Sequence, residues 1–147
     1  MQIQFYIMDK NKLKQEYKLL ADFLDYRYGE LQDKTDILDP GWYRVQAVDK
    51  MFRKMAVDYY VCRNTLDLRF RYDFNMIMRV VSKIESLPSQ RFDGFTVHID
   101  GDCCLIQSKR RSKVSGYSKM YCGNGNKLSA IYESCVLFIE WYKTNNN

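Results

Sequence analysis

Phe95-Thr96-Val97-His98-Ile99-Asp100-Gly101-Asp102-Cys103-Cys104-Leu105-Ile106 is the stretch on which the fold turns. Phe95, Val97 and Ile99 alternate with Thr96, His98 and Asp100, the two-residue period of a strand with one buried face. Asp100-Gly101 supplies the positive-φ pair that a two-residue hairpin turn requires. A turn closing on those two residues sets Val97 opposite Cys104 and Phe95 opposite Ile106. Phe95, Val97, Ile99, Cys104 and Ile106 then share one face, and Thr96, His98, Cys103 and Leu105 the other.

On the N-terminal side of this hairpin, Asp73 is an N-cap for a helix whose inward stripe is Phe74, Ile77, Val81 and Ile84, widened by Met78. Pro88 stops that helix. On the C-terminal side, Lys109-Arg110-Arg111-Ser112-Lys113 is too charged for a strand interior and reads as an exposed connection. Gly116 to Cys122 follows as a third strand, with Met120 and Cys122 on one side and Tyr117, Lys119 and Tyr121 on the other. Gly123-Asn124-Gly125 ends it. Asn126 caps a closing helix with the stripe Leu128, Ile131, Cys135, Phe138 and Tyr142, spaced three, four, three and four. The expected class is α+β: helix, three-stranded antiparallel sheet, helix over residues 73–142.

The first 72 residues read as an N-terminal helical elaboration packing on that core within a single domain, 1–147. Ile3, Phe5 and Ile7 alternate with polar neighbours as in a short strand over Ile3 to Met8, after which Asp9 or Asn11 caps a helix. Leu13, Tyr17, Leu20, Leu24 and Tyr28 carry that helix to about Gly29. Leu31 to Gly41 is a loop with an Asp39-Pro40-Gly41 turn. Val48, Met51, Phe52, Met55 and Tyr59 fit a helix face, which predicts a helix over Tyr43 to Ala56. Extended chain follows, where Val57 to Val61 and then Leu66, Leu68, Phe70 and Tyr72 alternate.

A length of 147 residues suits one domain with a real core, and a hydrophobic share of 46% excludes a disordered chain. The net charge of +5 is mild for a nucleic-acid binder, whose basic excess is usually larger and clustered. Five cysteines at irregular spacings, with no hydrophobic leader, predict free thiols in a reducing cytosol. No apolar run approaches the roughly 20 residues a bilayer crossing needs.

The run Phe74-Asn75-Met76-Ile77-Met78-Arg79-Val80-Val81-Ser82-Lys83-Ile84-Glu85, then a hairpin, then Lys127-Leu128-Ser129-Ala130-Ile131-Tyr132-Glu133-Ser134-Cys135-Val136-Leu137-Phe138-Ile139-Glu140-Trp141-Tyr142, resembles a group of small uncharacterised phage and prophage proteins of gut bacteria. Some of these carry the description of a phage α-β-α sandwich domain. The resemblance covers about half the chain and lies in packing positions. It implies the fold and a phage origin, with the cytoplasm of the infected bacterium as the setting. It brings no catalytic residues, and the longer N-terminal half and the basic insertion at Lys109 to Lys113 depart from the pattern.

Cys62, His98, Cys103, Cys104 and Cys122 are the ligand types zinc prefers, yet no Cys-x-x-Cys pair occurs and the adjacent Cys103 and Cys104 point to opposite faces. The cysteines read as small buried hydrophobes and no metal or other cofactor is expected. In the register above, the single histidine, His98, faces Cys103 as base to nucleophile, without a cleft or oxyanion donors, so no enzyme is expected. Gly123-Asn124-Gly125 before Lys127 offers amides and an ammonium to a phosphate, but it lacks the P-loop spacing and reads as a plain turn.

The functional expectation is a non-enzymatic phage accessory protein that binds a host or phage macromolecule, with counter-defence as its context. Its binding residues are Lys109, Arg110, Arg111, Lys113, Tyr117, Lys119, Tyr121 and Lys127. The alternative is a nucleic-acid or anionic-nucleotide binder, since helix, three strands, helix is also the order in a double-stranded-RNA-binding domain. A virion component or a homo-oligomer is the third reading.

Overall fold

Asp73 opens the C-terminal half as its sequence position demands. In a computed structural model, which describes residues 2–29, 41–48, 54–61, 65–87, 94–109 and 116–145, its carboxylate accepts from the backbone amides of Asn75 at 2.9 Å and Met76 at 3.3 Å. Two otherwise orphan donors of the first turn are thereby satisfied. The helix that follows, α2, runs Phe74–Ser86. Its buried residues are Met76, Ile77, Val80, Val81 and Ile84. The inward stripe is thus rotated from the expected one: Phe74 is about half exposed and Met76 and Val80 are inside.

The contacts divide the chain into two compact units, residues 1–69 and 70–147. In the second, α2 is followed by β4 (Phe95–Asp100), β5 (Cys103–Ser108), β6 (Ser118–Cys122) and α3 (Lys127–Asn145). The strands form an antiparallel sheet in the order β4-β5-β6. Helix α2 packs against β4 and α3, and α3 against β5 and β6, so the two helices line one face of the sheet. This is the expected α+β arrangement of helix, three-stranded antiparallel sheet and helix.

The hairpin closes one residue later than expected. Asp100 pairs with Cys103, Ile99 with Cys104, Val97 with Ile106 and Phe95 with Ser108, so the two-residue loop is Gly101-Asp102. Gly101 holds φ +58 at its first position, where a primed turn wants a glycine. The slip moves each partner by two positions, which leaves every side chain on its expected face because the pleat repeats every two residues. Phe95, Cys104 and Ile106 are buried beneath the helices. Phe138 of α3 meets Phe95 edge-on at 4.8 Å between ring centres and Tyr117 at 5.3 Å. Burial on α3 extends beyond the expected stripe to Tyr132, Val136 and Ile139. Arg71 lies over the Tyr132 ring at 5.5 Å and pairs with Glu133 at 3.6 Å.

The first unit differs more from expectation. One helix, α1, spans Gln2–Phe23, where a strand over Ile3 to Met8 and a cap at Asp9 or Asn11 were expected. No glycine or proline interrupts that span, and a helix once nucleated gains a bond for each residue added. It stops before Gly29. Asp25 takes the left-handed conformation (φ 59), the Tyr26 amide donates to the Ala21 carbonyl at 2.9 Å and the Asp25 amide to the Asp22 carbonyl at 3.1 Å. That is a Schellman closure with aspartate in the place glycine usually takes. Among its described side chains Glu16, Tyr17, Leu20 and Ala21 are buried.

The helix expected over Tyr43 to Ala56 is corrected: the described residues of that span are strand. Strands β2 (Gly41–Val48) and β3 (Lys54–Val61) pair antiparallel from Gly41–Val61 to Val48–Lys54, and β1 (Arg27–Gly29) joins β3 in parallel. The apparent helical spacing from Val48 to Tyr59 bridges the connection between two strands. Their Trp, Tyr and Val content is what a pleated surface favours. The N-terminal half therefore carries a second sheet, in the order β1-β3-β2. Val57 to Val61 is strand, as its alternation predicts, whereas Leu66 and Leu68 fall in a 3-10 turn, Thr65–Leu68, against α1. The expected loop over 31–40 lies outside the described residues.

Candidate binding edge

Strand β6, the residue before it and the start of α3 hold the described candidates other than Lys109. The Ser108 amide donates to the Tyr117 carbonyl and the Gly123 amide to the Asp102 carbonyl, each at 2.8 Å. Residues 117, 119, 121 and 123 thus turn their backbone groups toward β5, and those of Ser118, Met120 and Cys122 point away from the sheet. Among the described residues no strand pairs with that outer side. Every residue of β6 is exposed.

Pairing of Cys104 with Tyr121 and of Ile106 with Lys119 puts both candidates on the helix side of the sheet. There a groove of about 150 Å³ opens between β6 and α3, lined by Tyr117, Lys119, Met120, Tyr121, Ser134 and Leu137. Met120 is 64% exposed, Leu137 40% and Tyr121 38%. Tyr117 is different. At 4% exposure, with its ring 4.8 Å from Trp141 and 5.3 Å from Phe138, it is the floor of the groove and a core side chain. Its amide donates to the Ser108 hydroxyl at 2.9 Å. Burial, reinforced by the nearby Cys135 and Cys104, pushes its hydroxyl up to about 12.

The three described lysines do not form one patch. Lys109 follows the far end of β5, Lys119 is mid-strand in β6, and Lys127 opens α3 beyond the near end. The first and last are separated by about the length of β5, roughly 20 Å at strand rise. All three are exposed. Arg110, Arg111 and Lys113 lie outside the described residues.

The Gly123 and Gly125 amides of the Gly123-Asn124-Gly125 turn are already used. The Asp102 carboxylate accepts from Gly125 at 2.6 Å, and Asn126 caps the helix by accepting from Ser129 at 3.0 Å. An internal carboxylate sits where a bound phosphate would, so the turn is structural. A Cβ on Gly123 would fall on the Asn126 carbonyl, which explains the glycine.

The expected free thiols are corrected at one pair. Cys103 and Cys122 stand opposite each other on the face away from the helices and form a disulfide, with Cα atoms 4.0 Å apart. A non-hydrogen-bonded position brings neighbouring strands closest, which suits the bridge. His98 faces Leu105, not Cys103. Cys104 and Cys135 are free and buried, and desolvation raises both thiols, which makes them poor nucleophiles. The sequence signal for the disulfide was present: Cys103 and Cys122 both fall on the open face, and registering the third strand against the second brings them together.

Among the described residues no cluster of three metal-ligating side chains occurs, and no helix is long and apolar enough to cross a membrane. No protein family, curated protein or solved structure matches the chain.

Proposed function

We propose that this chain is a non-enzymatic binding protein that engages another polypeptide through the outer edge of β6 and the groove beside it. The supporting observation is the row of outward backbone groups at Ser118, Met120 and Cys122 next to the exposed Met120, Tyr121 and Leu137. Main-chain bonds from such an edge supply affinity and the flanking pocket supplies selectivity. At about 150 Å³ the groove is smaller than the roughly 300 Å³ at which small-molecule sites begin, and it suits part of one side chain.

Its biological setting in this proposal is that of a phage accessory protein acting on a host or phage macromolecule, with counter-defence as the context; the resemblance of residues 74–142 supports it. A bacterial cytoplasm would tend to keep Cys103 and Cys122 reduced. The edge survives that, since the ladder to β5 and the Asp102 bonds hold β6 as well.

Capture from a host lysate by wild-type protein and by Met120→Lys, with and without nuclease, tests the reading. Capture that survives nuclease and fails with Met120→Lys is expected. Nuclease-sensitive capture would transfer the function to nucleic acid, and turnover of nucleotides or peptides by purified protein would overturn the non-enzymatic assignment.

A further inference from the structure

We infer that the outer edge of β6 docks on the same edge of a second copy of this chain, through a two-fold axis at Met120. The inference rests on the proposed use of this edge and names its occupant. Met120 is the middle residue of the five-residue strand, and its backbone groups point outward with those of Ser118 and Cys122. An antiparallel two-fold at Met120 sets Met120 against the partner's Met120 and Ser118 against the partner's Cys122. That gives three hydrogen-bonded pairs, or about six bonds at two per pair. The two β4-β5-β6 sheets would join into one continuous six-stranded sheet with α2 and α3 of both copies on one face.

Side chains select this register. On the helix side, the two-fold sets Lys119 opposite the partner's Tyr121, an ammonium beside an aromatic face, and delivers that tyrosine to the mouth of the groove lined by Tyr117, Ser134 and Leu137. Moving the axis to Lys119 would place two like charges directly opposite each other, which is destabilising. Moving it to Tyr121 leaves Ser118 without a partner in the strand and shortens the ladder. The strand is thus self-complementary about one residue, as an isologous interface requires.

Five residues and the rim of a helix bury less than the roughly 1,200 Å² of a standard interface, so the dimer belongs to the weak, reversible class, with Kd of about 10–100 µM. Each copy carries a net charge of +5. Added salt screens their repulsion and tightens the dimer, opposite in sign to a complex held by phosphate contacts.

Sedimentation equilibrium on the full chain tests this, using wild type, Met120→Lys, Met120→Glu and an equimolar mixture of the two variants. Met120 is exposed, so both variants keep the fold, checked by circular dichroism. Wild type is expected to show a reversible monomer–dimer equilibrium that strengthens with salt. Each variant alone should associate at least about tenfold more weakly, and the mixture should recover, because only a two-fold at this residue sets lysine against glutamate. A wild type that stays monomeric up to about 500 µM, several times the expected Kd, would overturn the inference, as would variants that dimerise like wild type or a mixture that fails to recover. If the chain stays monomeric yet captures a nuclease-resistant partner that Met120→Lys loses, this inference falls and the broader binding function stands.

Discussion

The inner and outer sides of β6 are made from the same five residues and are governed by different physics. Toward β5 the strand is held by its ladder, by the Cys103–Cys122 bridge at one end and by the Tyr117 ring, wedged against Phe138 and Trp141, at the other. Away from β5, Ser118, Met120 and Cys122 offer backbone groups that no described strand takes up, and Met120 stands mostly in water. Stability therefore comes from one side and association from the other, and substitutions on this strand should separate the two properties cleanly.

The widest separation is expected between Phe138→Ala and Met120→Ala. Phe138 is fully buried among Phe95, Tyr117, Trp141 and Tyr142, and emptying such a site costs about 3–5 kcal/mol. Removing the exposed Met120 side chain should change stability by no more than about 0.5 kcal/mol. Urea denaturation of both variants measures the contrast, and comparable losses would break the division between the two sides.

Reduction of the bridge comes next. Cys103 and Cys122 are 19 residues apart, and opening a loop of that size in the unfolded chain costs the native state about 3 kcal/mol in the loop-entropy account. Denaturation with and without dithiothreitol should show a loss of that order with far-UV dichroism retained, and Cys103→Ser combined with Cys122→Ser should no longer respond. Loss of the fold on reduction would show that the ladder and Asp102 cannot hold β6 alone. Smaller again is Asp102→Ala, which leaves the Gly125 amide without its acceptor and should cost about 1–3 kcal/mol.

How far the sequence reveals these features depends on whether a local signal agrees with the tertiary contacts. Asp73, Pro88 and the Phe95–Ile106 alternation are strong local signals, and the α-β-β-β-α half follows from them. Even the misplaced turn costs no side chain its face, since the slip respects the pleat. The first unit has Asp39-Pro40-Gly41 leading into β2 but no glycine or proline in the sequence between β2 and β3. In the sequence Met51 and Phe52 extend a helical spacing from Val48 to Tyr59, and the left-handed Asp25 ends α1 where no glycine stands. Of the candidate site, the alternation across β6 was readable: Lys119 and Tyr121 do share a face, with Met120 and Cys122 opposite. That Tyr117 turns inward was not, because its burial depends on Phe138 and Trp141, some twenty residues further along the chain.

The subtlest effect at the approach to β6 is one of titration, because Tyr117 is buried. Desolvation lifts the Tyr117 hydroxyl to about 12, whereas an unfolded tyrosine titrates near about 10. A raised folded-state value means the native state resists losing the proton that the unfolded chain gives up. The contribution is therefore complete below about pH 10 and is lost as pH rises through about 12. Cys104 and Cys135, also raised by burial, act in the same direction from the ordinary thiol range upward. Tyr117→Phe removes the ionisable group while keeping the ring against Phe138 and Trp141. Its melting temperature should match wild type near pH 7 and fall less steeply above about pH 10. An alkaline profile of Tyr117→Phe as steep as that of wild type would mean that Tyr117 is not the floor of the groove.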